Sequence, residues 1–155
     1  MVLNNFGSAI GSGWSTGNMP LDYNGNGFSY GLGSTTIAPT ASGTGMRLYF
    51  GDGNTAPTKS DYWLSGNQVN LTYVSGAFST HPSPAPNDGE MLSYVFVYRN
   101  DGNSDLVIKE VALGYTYQGF SSAYGPCIIT RTVLSQPKTI KAGRQYAFTV
   151  TVKVQ

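Results

Sequence analysis

Strict alternation of apolar and polar positions runs from Gln145 to Val154. Tyr146, Phe148, Val150, Val152 and Val154 fall on one side, and Gln145, Ala147, Thr149, Thr151 and Lys153 on the other. Period two held over such a length predicts a strand with one buried face. The same pattern predicts strands at Met46–Phe50, closed by the turn residues Gly51-Asp52-Gly53-Asn54, and at Gln68–Val74, with Val69, Leu71 and Tyr73 on one side. Met91–Tyr98 (MLSYVFVY) is almost continuously apolar and predicts a central strand covered on both faces. Asn100-Asp101-Gly102-Asn103 is a turn signal, and Leu106–Leu113 and Ile128–Leu134 predict two further strands. Tyr115–Tyr124 reads as a loop. No window carries the 3.6-residue period of an amphipathic helix, and Val, Ile, Thr and Tyr dominate the periodic segments.

The first 45 residues follow another rule. Glycines at 7, 11, 13, 17, 25, 27, 31, 33, 43 and 45 punctuate Ser, Thr and Asn, with isolated anchors at Phe6, Ile10, Trp14, Leu21, Phe28 and Tyr30. Gly/Ser-rich chain is ordinarily a linker. Aromatic side chains are costly to leave in water, so this stretch reads as an extended arm that orders against something, with Phe6, Trp14, Phe28 and Tyr30 as its contacts. The expected organisation is an arm over 1–45 and a β domain over 46–155. Short strands separated by turns make that domain an antiparallel β-sandwich or jelly-roll-like fold.

Composition narrows the chemistry. Charged residues are 11% of the chain, against roughly 25% in an ordinary soluble domain. A net charge of +1 supplies no field for nucleic acid, and no apolar run is long enough for a membrane helix. The N-terminus lacks the basic and apolar regions of a secretory signal. Cys127 is the only cysteine and is expected as a small buried apolar residue, since a catalytic thiol would need a base and His81 is the only histidine. Asp22-x-Asn24-x-Asn26-Gly27 opens like a calcium loop, but Gly33 occupies the position of the bidentate Glu; Asp101, Asn103 and Asp105 repeat the spacing without the glycine. Both read as Asx turns. Gly51-Asp52-Gly53 and Gly31-Leu32-Gly33 are turn glycines, because neither precedes a helix that would hold a phosphate. Glu90 and Glu110 are the only glutamates, and neither has the setting of a glycosidase acid. No catalytic group, cofactor or metal site is expected.

Two features leave alternatives open. Glu110 interrupts the apolar run LVIKEVAL: either it points inward and pairs with Arg99 or Arg131, or it is a strand-edge charge that opposes unwanted pairing. Tyr115, Tyr117, Phe120 and Tyr124, set among Gly and Ser, are either a recognition surface for sugars or partner pockets, or packing at the end of the sandwich.

Three segments together resemble small structural proteins of tailed bacteriophages. Leu48–Leu64 (LYFGDGNTAPTKSDYWL) is similar to a strand, a G-x-G turn and T-x-P-T-x-x-D-x-x-L. Tyr94–Leu113 sets an apolar strand and an Asn-rich turn before I-K-E-x-x-L. Arg131–Val150 is similar to a closing hairpin with a P-x-x-I-x-x-G turn. The glycine-rich first third has no counterpart, and Trp63 is bulkier than the pattern has at that place. The resemblance implies a virion component without catalytic residues, assembled in the host cytoplasm as a homo-oligomer from copies of itself and other virion proteins. Capsid decoration is the expected placement. The alternative is a tail, fibre or baseplate component with a receptor- or carbohydrate-binding surface.

Overall fold

A computed structural model describes residues 38–40, 45–58, 60–80, 90–116 and 126–153. Among these the regular structure is all strand: β1 Gly45–Gly51, β2 Gln68–Val69, β3 Thr72–Thr80, β4 Glu90–Arg99, β5 Leu106–Thr116, β6 Cys127–Ile140 and β7 Gln145–Lys153. They form two sheets, ordered β2-β1-β5-β6 and β3-β4-β7, in which neighbouring strands are antiparallel. Successive pairs (β1–β2, β3–β4, β5–β6) stay within one sheet, and each link between pairs crosses to the other. The result is an all-β, sandwich-like body.

The two sheets meet through aromatic side chains. Phe50 of β1 packs edge-on to Tyr98 of β4, ring centroids 4.9 Å apart, and lies 4.8 Å from Phe148 of β7. Met46, Leu48, Leu113, Tyr115, Ile129 and Cys127 from the first sheet join Tyr94, Phe96 and Tyr98 from the second in one core. The alternation read in β7 is present, with Tyr146, Phe148 and Val150 half-buried against this core and Ala147, Thr149 and Thr151 exposed.

The free edge of β1 is closed by three devices. Met46 is bridged by Pro39, with Ala38 O accepting from Met46 N at 3.1 Å and Thr40 N donating to Met46 O at 3.2 Å. Phe50 pairs with Val69 of the short β2. Between them the Tyr98 hydroxyl accepts from Leu48 N at 3.0 Å and donates to Leu48 O at 3.2 Å. A phenol from the opposite sheet thus stands in for a missing strand. Tyr98→Phe keeps the ring and orphans two buried backbone groups, so we expect a loss of about 1–3 kcal/mol in urea denaturation. A change within 0.5 kcal/mol would show that water replaces the hydroxyl.

Several expectations are corrected. Gln68–Val74 is not one strand: the chain leaves the first sheet after Val69 and joins the second at Thr72, while Val69, Leu71 and Tyr73 all still pack on the core. β4 is central in its sheet, and over Ser93–Arg99 Tyr94, Phe96 and Tyr98 are buried while Val95 is 41% exposed, so cover on both faces is not found among the described residues. Tyr115 and Thr116 belong to β5 rather than to a loop. β6 runs on to Ile140 by way of an irregular stretch between Val133 and Lys138 that accommodates Pro137. Ala38–Thr40 and Gly45, assigned above to the arm, are fastened to the body.

Asn100 joins the turns at one end. Its amide donates to Ser104 O and Ile140 O, its Oδ1 accepts from Gly102 N at 3.0 Å, and its carbonyl accepts from Gly143 N, where a φ of +68° favours glycine. The Asx turn is therefore made by Asn100. Asp101 is instead paired with Arg99, and Asp105 with Lys141 Nζ and Ala142 N.

Candidate functional site: an ionic tether and an open seam

Two features distinguish the first sheet, one on each face. On the outer face, Tyr49 of β1, Ala112 of β5 and Ile128 of β6 form a small second core with Leu64 and Trp63. Those last two belong to the irregular residues 52–58 and 60–67 between β1 and β2, which lie over the sheet as a cover. The Trp63 ring sits 5.1 Å from that of Tyr49. Tyr49 itself lies over Gly114, where a Cβ would approach its ring to 2.8 Å.

The cover is held by charge. Parity along β5 changes at the irregularity between Ile108 and Glu110, so Ile108 faces the main core while Glu110 and Ala112 face the cover. Glu110 is fully buried. Its Oε2 accepts from Arg131 Nη1 at 2.7 Å, from Ser65 N at 3.1 Å and from Ser65 Oγ at 3.0 Å, and its Oε1 accepts from Gly66 N at 2.9 Å. Arg131, 2% exposed, also donates to Thr55 O at 3.0 Å and forms an ion pair with Asp61. Asp61 in turn accepts from Thr58 N at 2.8 Å and Thr58 Oγ1 at 2.7 Å. The guanidinium therefore holds the cover at Thr55 and Asp61, and the Glu110 carboxylate paired with it holds the far end at Ser65 and Gly66. Asp52 extends the tie by accepting from Asn67 N at 2.7 Å.

Close approach makes this possible. A Cβ on Gly51 or Gly53 would stand 2.5 Å from Glu110 Oε1, and one on Gly66 would overlap Gly53. The turn glycines of the G-D-G motif thus leave room for a buried carboxylate. Of the two readings of Glu110, the inward one holds, with Arg131 as partner; Arg99 lies elsewhere, on Asp101. Asp61 and the cover were not anticipated.

Electrostatically the cluster is a lock. Burial disfavours the charge on Glu110, but the N–H groups of Ser65 and Gly66, together with Arg131 and the Ser65 hydroxyl, outweigh it and hold its carboxyl below the usual range. Asp61 is lowered too, with burial opposing and Arg131 and Thr58 prevailing. Two carboxylates held ionised on one guanidinium do not supply a proton donor at neutral pH. Cys127 is buried as expected, and burial pushes its thiol up to about 11, so it is not a thiolate nucleophile.

The second feature lies where the sheets part. β6 ends one sheet and β7 ends the other, and the two are consecutive, yet they do not pair. Between them runs a cavity of about 450 Å³ with Val111, Leu113, Leu134, Phe148 and Val150 inside and Thr132, Thr149 and Thr151 at its rim. Thr132 follows the outward Arg131 and so faces the second sheet, yet it is exposed. Among the described residues that line this seam, Arg131 alone is charged, and its guanidinium is engaged on the other face. A strand edge left in water is ordinarily guarded by Lys, Pro or a bulge. On β6 such guards (Pro137, Lys138 and the irregular stretch) come only towards the hairpin end.

Of the residues singled out from the sequence, Tyr115 is in the main core at 2% exposure, so it forms no part of a recognition surface in this chain. Tyr117, Phe120 and Tyr124, the arm contacts Phe6, Trp14, Phe28 and Tyr30, the Asp22–Gly27 motif and His81 lie outside the described residues. Among the described residues, no group of His, Cys, Asp and Glu is placed to hold a metal. Comparison with protein-family models, with curated proteins and with solved structures returns no match for this chain.

Proposed function

We propose that this chain is a structural subunit of a tailed-bacteriophage virion, present in many copies and acting by assembly rather than catalysis, with capsid decoration as its placement. The observation that carries this reading is the seam: an apolar opening between two end strands, with Arg131 the one charged residue among the described residues that line it, on a chain in which charged residues are only 11%. Surfaces of that kind are completed by other chains. The ionic tether supports the reading from another side, since its polar groups are spent on holding a cover in place. In this account residues 1–37 are the arm that reaches neighbouring subunits.

The test is immunogold labelling of phage particles purified from a lysate of the organism that carries the gene, with antibody raised against the purified chain. Label spread over the heads is the expected result. Label confined to tails would move the subunit to the tail and overturn the decoration placement. Particles without label would overturn the virion reading altogether.

A further inference from the structure

We infer that the seam between β6 and β7 is an acceptor for an extended strand, and that its occupant is residues 28–32 of a neighbouring copy of this chain. The inference rests on the assembly reading above and names the contact by which assembly occurs.

The shape of the site selects the chemistry of its occupant. A cleft between diverging sheets, with apolar side chains inside and end strands on either side, admits an extended backbone whose alternate side chains point inward. The occupant needs large apolar residues at every second position and small, uncharged ones between. Residues 1–37 lie outside the described body and contain one clean instance: Phe28, Tyr30 and Leu32 alternate with Ser29, Gly31 and Gly33. Met19, Leu21 and Tyr23 also alternate, but Pro20 lacks the N–H a ladder requires and Asp22 brings a charge.

Chain length decides whose strand it is. The chain joins the body at Ala38–Thr40, on the side of Met46 away from β5. From there β1, β5 and β6 intervene before the seam, so it lies roughly 20 Å away on a straight line through the sheet, at about 4.8 Å per strand. Any real path goes around the sheet and its side chains and is longer. The six steps from Leu32 to Ala38 span at most about 22 Å fully extended, which matches the straight line and leaves nothing for the detour. A chain therefore does not seat its own residues 28–32 in its own seam, whereas a neighbour's meet no such limit.

Site-directed cross-linking of full-length protein tests this. Tyr30→Cys and Thr132→Cys are made in separate, differently tagged copies, which are mixed and oxidised; native Cys127 is buried and is left in place. The expected product is a disulfide joining the two tags, at least tenfold weaker when the Tyr30→Cys copy also carries Leu32→Asp. A doubly substituted chain that cross-links only within itself at high dilution would overturn the assignment to a neighbour. Absence of any cross-link between 30 and 132, in copies whose denaturation matches the parent protein, would overturn the site. Virions that carry label while the cross-link is absent would sink the seam contact alone. Unlabelled particles would sink the assembly reading beneath it.

Discussion

Glu110→Ala is expected to cost about 3–5 kcal/mol of stability, the largest effect of any single polar substitution in the body. The reason is what the change leaves behind. Arg131 keeps Asp61 and the Thr55 carbonyl but loses its most buried partner, and the N–H groups of Ser65 and Gly66 lose their acceptor. The cover over Tyr49, Ala112 and Ile128 is then held mainly by Leu64 and Trp63. Urea denaturation gives the number directly. The paired replacement Glu110→Leu with Arg131→Met removes both charges together, so its cost is expected to fall short of the sum of the two single changes. Simple addition would mean that the two residues do not act as a unit. The same cluster sets an acid limit. Both carboxyls titrate lower in the folded protein than in the unfolded chain, so their contribution is complete above the unfolded values, near 4, and is lost as pH falls through the folded ones. Stability is expected to decline below about pH 4, and less steeply in the apolar double variant.

Phe50→Ala is expected to cost a similar amount, about 3–5 kcal/mol, by a different route. Phe50 is 2% exposed and touches both Tyr98 and Phe148, so one ring from β1 packs against two strands of the opposite sheet. Its removal opens a cavity where the sheets meet and also loosens Tyr98, whose hydroxyl closes the β1 edge at Leu48. Phe50→Leu fills part of the space and is expected to cost distinctly less. Thermal and urea unfolding of the two variants check this. Equal costs would show that volume at this position matters less than the ring contacts.

How much of this was legible in the sequence depends on the physics of each element. β7 declared itself because one face is buried and the other wet, which writes period two into the chain; β1 was found from its apolar run, although both of its faces are buried, with Tyr49 lying under the cover. β4 was found but over-read: a run such as MLSYVFVY does not say whether Val95 is covered. The break between β2 and β3 was invisible, because Val69, Leu71 and Tyr73 continue to face one core while the backbone changes sheets. The later part of β3, Ser75–Thr80, is an edge strand of mostly small residues and gave no apolar signal. Glu110 was legible as a question, since a carboxylate in an apolar strand demands a partner. Its answer was not, for two of its partners are backbone N–H groups, which every residue but proline has. The seam depends on the failure of β6 and β7 to pair, which no local pattern encodes.

The measurement that bears most directly on the central claim is sedimentation of the full-length protein across a wide concentration range. An assembly subunit that exchanges residues 28–32 between copies sediments as an oligomer, or shifts to one as concentration rises, and Leu32→Asp weakens that association by about tenfold or more. A protein that remains a monomer at every concentration, with Leu32→Asp indistinguishable from it, would contradict the account.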